Sequence, residues 1–169
     1  MNDKKKISYE NIEKVIFHGD NDLAQLLLNA HQFRRSYKIM EELLEEGYKK
    51  SYDGEHSFRS DIYESKYLDL SIPSIIILAF ACELQLKAII RIESSQICKG
   101  HSLLNLYNEL SEETKTKIRG IVDEAMKDNS EYEFQGYLEQ SPNVFVEWRY
   151  YHEEYREVNL KFLKSLGEA

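Results

Sequence analysis

Two prolines and seven glycines in 169 residues leave few turn formers, and a chain of many short strands needs a turn signal roughly every 8–12 residues. A β sandwich or barrel is therefore excluded in favour of helices. Two cysteines cannot make a disulfide framework, and Cys82 sits inside an apolar run, where a thiol serves as a small core residue. The usage points to a reducing, cytoplasmic setting. Positive charge is also scarce: 22 Lys and Arg against 30 Asp and Glu give a net charge of -8, which works against a sequence-independent grip on nucleic-acid phosphates. Any RNA contact has to be local. The basic clusters Lys4-Lys5-Lys6, Arg34-Arg35-Lys38 and Lys49-Lys50 are small, and each also reads as an ordinary solvated face.

Long apolar runs are missing as well. The longest charge-free stretch, around 72–82, is roughly half of a membrane span, and the polar start of the chain has no signal-peptide core. Neither a membrane helix nor an export signal is expected. There is no glycine-rich phosphate loop and no nucleophile elbow. None of His18, His31, His56, His101 and His152 has a Glu three residues before it, as a bundle di-iron site requires. Cys98 and His101 have a ligand-like spacing, but no second Cys/His pair completes a zinc site. The expectation is no metal and no cofactor.

What the chain does have is helical period. Residues 1–20 form a polar lead-in, and Asp20 or Asn21 can cap a long amphipathic helix reaching about Tyr48, whose inward positions run from Leu23 through Ala30, Arg34 and Tyr37 to Leu44. Residues 49–70 read as a long connection. Ser71 is the expected cap of the next helix, with Pro73 in its first turn and its end near Ser94, before the break at Cys98-Lys99-Gly100. A short helix over 101–110 follows, then one capped by Ser111 and carrying Ile118, Val122 and Met126. Another short helix is announced by Ser130 and Glu133 as a capping box. Ser141-Pro142 opens a last long helix, expected over about 143–166 and stopping at Gly167. The reading is one all-α domain over 1–169, an antiparallel helical bundle with three long helices and several short ones.

Two stripes could carry chemistry. The apolar helix over 72–92 has only three charges, Glu83, Lys87 and Arg91, spaced four residues apart on one side. Their plain reading is a ladder of i,i+4 ion pairs; their functional reading is a support for groups on another helix. In the last helix Trp148, Tyr151, Tyr155, Phe162 and Leu166 make an apolar face, beside a stripe of Phe145, Arg149, His152, Arg156 and Asn159. Arg149 and His152 lie one turn apart. A guanidinium there can stabilise an anionic phosphodiester transition state while an imidazole exchanges a proton near neutral pH. Alternatively, Arg149 pairs with Glu153 and His152 is an ordinary surface residue.

Glu83-Leu84-Gln85-Leu86-Lys87-Ala88 in the apolar helix, Gly100-His101-Ser102-Leu103-Leu104-Asn105-Leu106 opening the next, and an Arg/His-bearing last helix together resemble HEPN domains. These are helical bundles of prokaryotic defence, toxin-antitoxin and RNA-processing systems, many of them metal-independent endoribonucleases. The resemblance covers about 71–152. It implies an RNA-directed protein, a homodimer that gathers Arg149, Arg156 and their symmetry mates into a basic groove, and a protein partner such as an antitoxin. It also implies Arg149 and His152 as catalytic residues, with Glu83 and Lys87 as their supports. Active members place four to six residues between the motif's Arg and His, whereas two separate Arg149 from His152. A catalytic bundle and a non-catalytic protein-interaction module therefore both stand as readings.

Overall fold

The computed structural model of the chain describes residues 21–51, 69–127, 133–140 and 158–169. These form six helices, and no strand occurs among the described residues: α1 Asn21–Ser51, α2 Ser71–Ser94, α3 Leu103–Glu109, α4 Glu112–Met126, α5 Phe134–Gln140 and α6 Leu160–Glu168. None of them is long and apolar enough to cross a membrane.

Helices α1 and α2 make the most extensive helix pair. Leu23 and Leu26 near the start of α1 share a cleft with Lys87 and Arg91 near the end of α2, Phe33 meets Phe80, and Tyr37 to Lys49 share a second cleft with Ser74. The two helices thus run in opposite directions along each other. Helix α2 is the organiser because its surroundings bury nearly its whole middle, Leu78, Cys82, Leu86 and Ile90 among others, against α1, α3 and α6. Its ends emerge: Ile72 is 37% and Ile92 57% exposed.

The other core layer is aromatic. Phe162 of α6 is fully buried, with Tyr137 stacked on it at 5.5 Å and Phe134 meeting it edge-on at 5.6 Å; Tyr107 lies 5.0 Å from Phe134. Each such pair adds about 0.5–1.5 kcal/mol beyond area burial. Ile118, Val122 and Met126 of α4 supply the matching apolar stripe at i, i+4 and i+8. The sequence expectation that Phe162 and Leu166 face inward holds.

Boundaries depart from expectation at two places. Ser71 does not cap α2: Leu70 occupies the cap position in helical geometry, and its carbonyl already accepts from Ser74 N at 2.9 Å, so Ser71 is the first helical residue. Of the helix expected over about 143–166, the described part begins only at Leu160. Asn159 is extended (φ -77°, ψ 99°), and its side chain accepts from Phe162 N at 2.9 Å, the geometry of an N-cap. Gly167, expected as the stop, lies inside α6 and is buried. The remainder of that expected helix, 143–157, and the capping Ser130 lie outside the described residues.

Polar contacts fasten α6 to α1. Lys164 pairs with Glu41, Tyr37 donates to Glu41 at 2.8 Å, and Arg34 pairs with Glu168 at 3.4 Å. Burial raises the Glu41 pKa, but hydrogen bonds from Lys164 and Tyr37 outweigh it and hold the carboxyl below its usual range. The Tyr37 hydroxyl, buried and beside that carboxylate, is pushed up. A Cβ on Gly167 would lie 2.8 Å from Arg34 Nη1 and 3.1 Å from Cys82 Sγ, so the absence of a side chain is what lets Arg34 lie across α6.

Candidate functional site

Burying a lone carboxylate is costly enough that the group neutralises or finds partners. Glu83, in the middle of α2, is 1% exposed and has found two. Lys87, one turn on, places Nζ 2.7 Å from Oε1. From outside the helix comes His101, whose Nδ1 lies 3.0 Å from Oε1 and 3.1 Å from Oε2. A carboxylate only accepts, so Nδ1 is the donor, and in the neutral ring the lone pair is then on Nε2. The Lys87 side chain is mostly buried, at 16%, while the imidazole is half exposed, at 51%.

The loop between α2 and α3 brings His101 there. Ser95 ends α2 in the left-handed region (φ 58°) with its N–H on the Arg91 carbonyl, and Arg91 Nη1 donates to the Ser95 carbonyl at 2.5 Å. Gly100 then takes φ 110°, a conformation that side-chain-bearing residues rarely adopt, immediately before His101. Ser102 caps α3, accepting from Asn105 N at 3.3 Å, and buried Leu103 and Leu106 anchor that helix. His101 is thus fixed between a glycine turn on one side and a capped helix on the other.

On the far side of Lys87 lies a cleft of about 250 Å³. Leu23, Leu26 and Ile97 form its apolar walls, Lys87 and Arg91 give it positive charge, and Asp22 is its acid. Cys98, also on its wall, donates to Glu109 Oε2 at 2.8 Å. Burial and the Glu109 carboxylate push the Cys98 thiol up to about 11, against the pull of Lys87. It is a protonated thiol at neutral pH and no nucleophile.

Of the residues singled out by sequence, Glu83 and Lys87 come together as a tight pair. Arg149, His152 and Arg156 lie outside the described residues, as does their expected meeting with Glu83 and Lys87. Cys98 and His101 turn to different carboxylates, and no group of three or more metal-ligating side chains is assembled among the described residues. Sequence reasoning weighed His101 as a zinc ligand and as part of a motif, and missed it as the partner of Glu83. The available signal was a histidine between a glycine and a capping serine, just after a core helix holding a carboxylate.

Chemically, the cluster is a buried carboxylate orienting a half-exposed imidazole, with an ammonium beside it. The first group can set the second's tautomer, the second can accept a proton, and the third can steady an anion. No family model, curated protein or solved structure matches the chain.

Proposed function

We propose that this chain is an RNA-directed, HEPN-like antiparallel bundle of a bacterial defence or stress system, cytoplasmic and homodimeric, acting as a metal-independent endoribonuclease. The observation that carries the reading is the hydrogen bonding of His101 to Glu83. It joins two of the three segments on which the resemblance rests, 83–88 and 100–106, into one charged cluster. The neighbouring cleft brings the basic side chains Lys87 and Arg91 together on an acidic chain, beside Asp22. In this reading Arg149 stabilises the pentacoordinate phosphorus, His152 assists proton transfer, Arg156 extends the groove across the dimer, and Glu83 and Lys87 are supports.

The test is direct. Purified protein should cleave structured RNA in the presence of a metal chelator, and Arg149→Ala should abolish cleavage. Unchanged cleavage by that variant refutes the assignment.

One observation favours a second reading, a non-catalytic interaction module whose partner is a protein such as an antitoxin. Ile92 near the end of α2 and Ile97 on the wall of the cleft are 57% and 68% exposed. This reading expects no nuclease activity on any RNA and a stable complex with a second protein that Ile97→Asp disrupts.

A further inference from the structure

We propose that the polar cleft between α3, α4 and α5 binds a small phosphate monoester with a hydroxylated body, of the kind a sugar phosphate presents; the proposal does not depend on the ribonuclease reading. The cleft holds about 270 Å³, just under the roughly 300–1,000 Å³ of clefts that take drug-sized ligands, so its occupant is small. Every side chain on its wall carries a polar group, whereas the clefts beside Lys87 and Ser74 are each walled in part by leucines. Helix α4 supplies most of it from one face: Glu112, Lys115, Thr116 and Arg119 follow at i, i+3, i+4 and i+7. The adjoining stripe of Ile118, Val122 and Met126 is buried, which fixes the rotation of α4 about its axis and so the direction of the polar face.

Two cations define the ligand's charge. The side chain of Lys115 is the deeper member of its ion pair, 19% exposed, while its partner Glu112, at 2.8 Å, is 88% exposed. A pair with so exposed a carboxylate adds little stability, so an anion can displace Glu112. Arg119 pairs with no carboxylate among the described residues; its guanidinium carbon lies 5.2 Å from the centre of the Phe134 ring, a contact that holds the group without neutralising it. The Tyr107 hydroxyl, whose pKa burial raises against the pull of Arg119, donates to the Lys115 carbonyl at 3.2 Å and ties the α3 wall to the α4 wall. A guanidinium fork and an ammonium against one displaceable acid suit a dianionic monoester better than an internal phosphodiester, which carries a single charge. The rest of the wall suits hydroxyls. Thr116 donates to the Glu112 carbonyl at 2.8 Å and Gln135 to Glu139 at 3.0 Å, which leaves their side-chain oxygens as acceptors, and the Asn108 amide can both donate and accept.

The experiment is an NMR titration of the whole chain with glucose 6-phosphate, beside glucose, succinate and an RNA tetramer without a terminal phosphate. Saturable shifts centred on Lys115, Thr116 and Arg119 are expected with glucose 6-phosphate and not with glucose. R119M and K115M should each weaken binding about tenfold, and E112Q should tighten it about threefold, because the competing carboxylate is gone. A wild type without saturable shifts, or R119M binding as tightly as wild type, overturns the site. Succinate binding as tightly as the sugar phosphate overturns the phosphate class. RNA that shifts these residues when glucose 6-phosphate does not overturns the small ligand. Should R119M and K115M fail to fold, E112Q decides: tighter binding supports the site, and unchanged binding overturns it.

Discussion

Two carboxylates on α2, ten residues apart, have opposite environments. Glu83 is buried and pairs with Lys87 and His101; Glu93 is exposed and makes no ion pair among the described residues. Glu93 instead accepts from Ser111 N at 2.9 Å, Ser111 Oγ at 2.8 Å and Thr114 Oγ1 at 2.5 Å, and so ties the start of α4 to the end of α2. Hydrogen bonds from Thr114 and Ser111 hold its carboxyl below the usual range. The contrast separates two uses of one residue type. At the surface a carboxylate finishes a helix cap, a job a neutral acceptor does nearly as well. In the core it compensates the charge of Lys87, which a neutral acceptor cannot do, and accepts from His101 at the same time.

Removing each carboxylate tests that division. Glu83→Ala should cost about 3 kcal/mol, the lower part of the range for breaking a buried pair, because Lys87 has a route into the cleft and solvent. Urea unfolding followed by circular dichroism measures it. Glu93→Ala should cost about 1 kcal/mol, as lost caps do. Equal losses at the two sites would erase the distinction.

An effect between those two asks whether the buried carboxylate needs both partners. In Gly100→Ala the added Cβ meets no atom within 4 Å, so the cost is conformational, about 1–2 kcal/mol for a side chain at φ 110°. The chain escapes that strain by moving the loop, and His101 moves with it. The expected outcome is a lower unfolding midpoint together with a changed His101 imidazole resonance by NMR. A variant with wild-type stability and an unmoved resonance would mean that the turn does not position the histidine.

How much of this was legible beforehand follows from the range of the interactions. Helices α1 to α4 were readable because period and caps are local: Ser111 as a cap and the end near Ser94 both came out as expected. The pair Glu83 and Lys87 was readable for the same reason, being one turn apart. His101 was not, because its carboxylate is 18 residues away on another helix and only tertiary packing joins them. The start of α6 failed differently. The apolar period continues through Tyr155, Phe162 and Leu166, and period reports which residues share a side, not whether the backbone between them is unbroken; Asn159 carried the break as a cap.

The acid side of the comparison should be visible in Glu93→Gln. With the folded carboxyl below its ordinary value, the unfolded state binds its proton more readily as pH falls. The stabilisation is therefore complete above the ordinary carboxylate value, about 4.3, and is lost as pH drops through the folded one. E93Q should lose less stability than wild type over that interval, by a few tenths of a kcal/mol for so exposed a group. Parallel curves for the two proteins would show that the cap does not depend on the charge.

The smallest expected effect concerns reactivity at the edge of the Glu83 cluster. Cys98 titrates near 11 because burial and the Glu109 carboxylate disfavour its thiolate, while Cys82, fully buried, is pushed up to about 12. Iodoacetamide at pH 9 should therefore label the folded chain slowly, on the order of a hundredth of the thiol being thiolate for a pKa near 11. Glu109→Gln removes the opposing charge and leaves Lys87 to pull the other way, so labelling of Cys98 should speed up severalfold with stability nearly unchanged. A rate that does not move would mean that burial alone sets the thiol, whereas a faster one would show that the Glu109 carboxylate helps to hold it protonated.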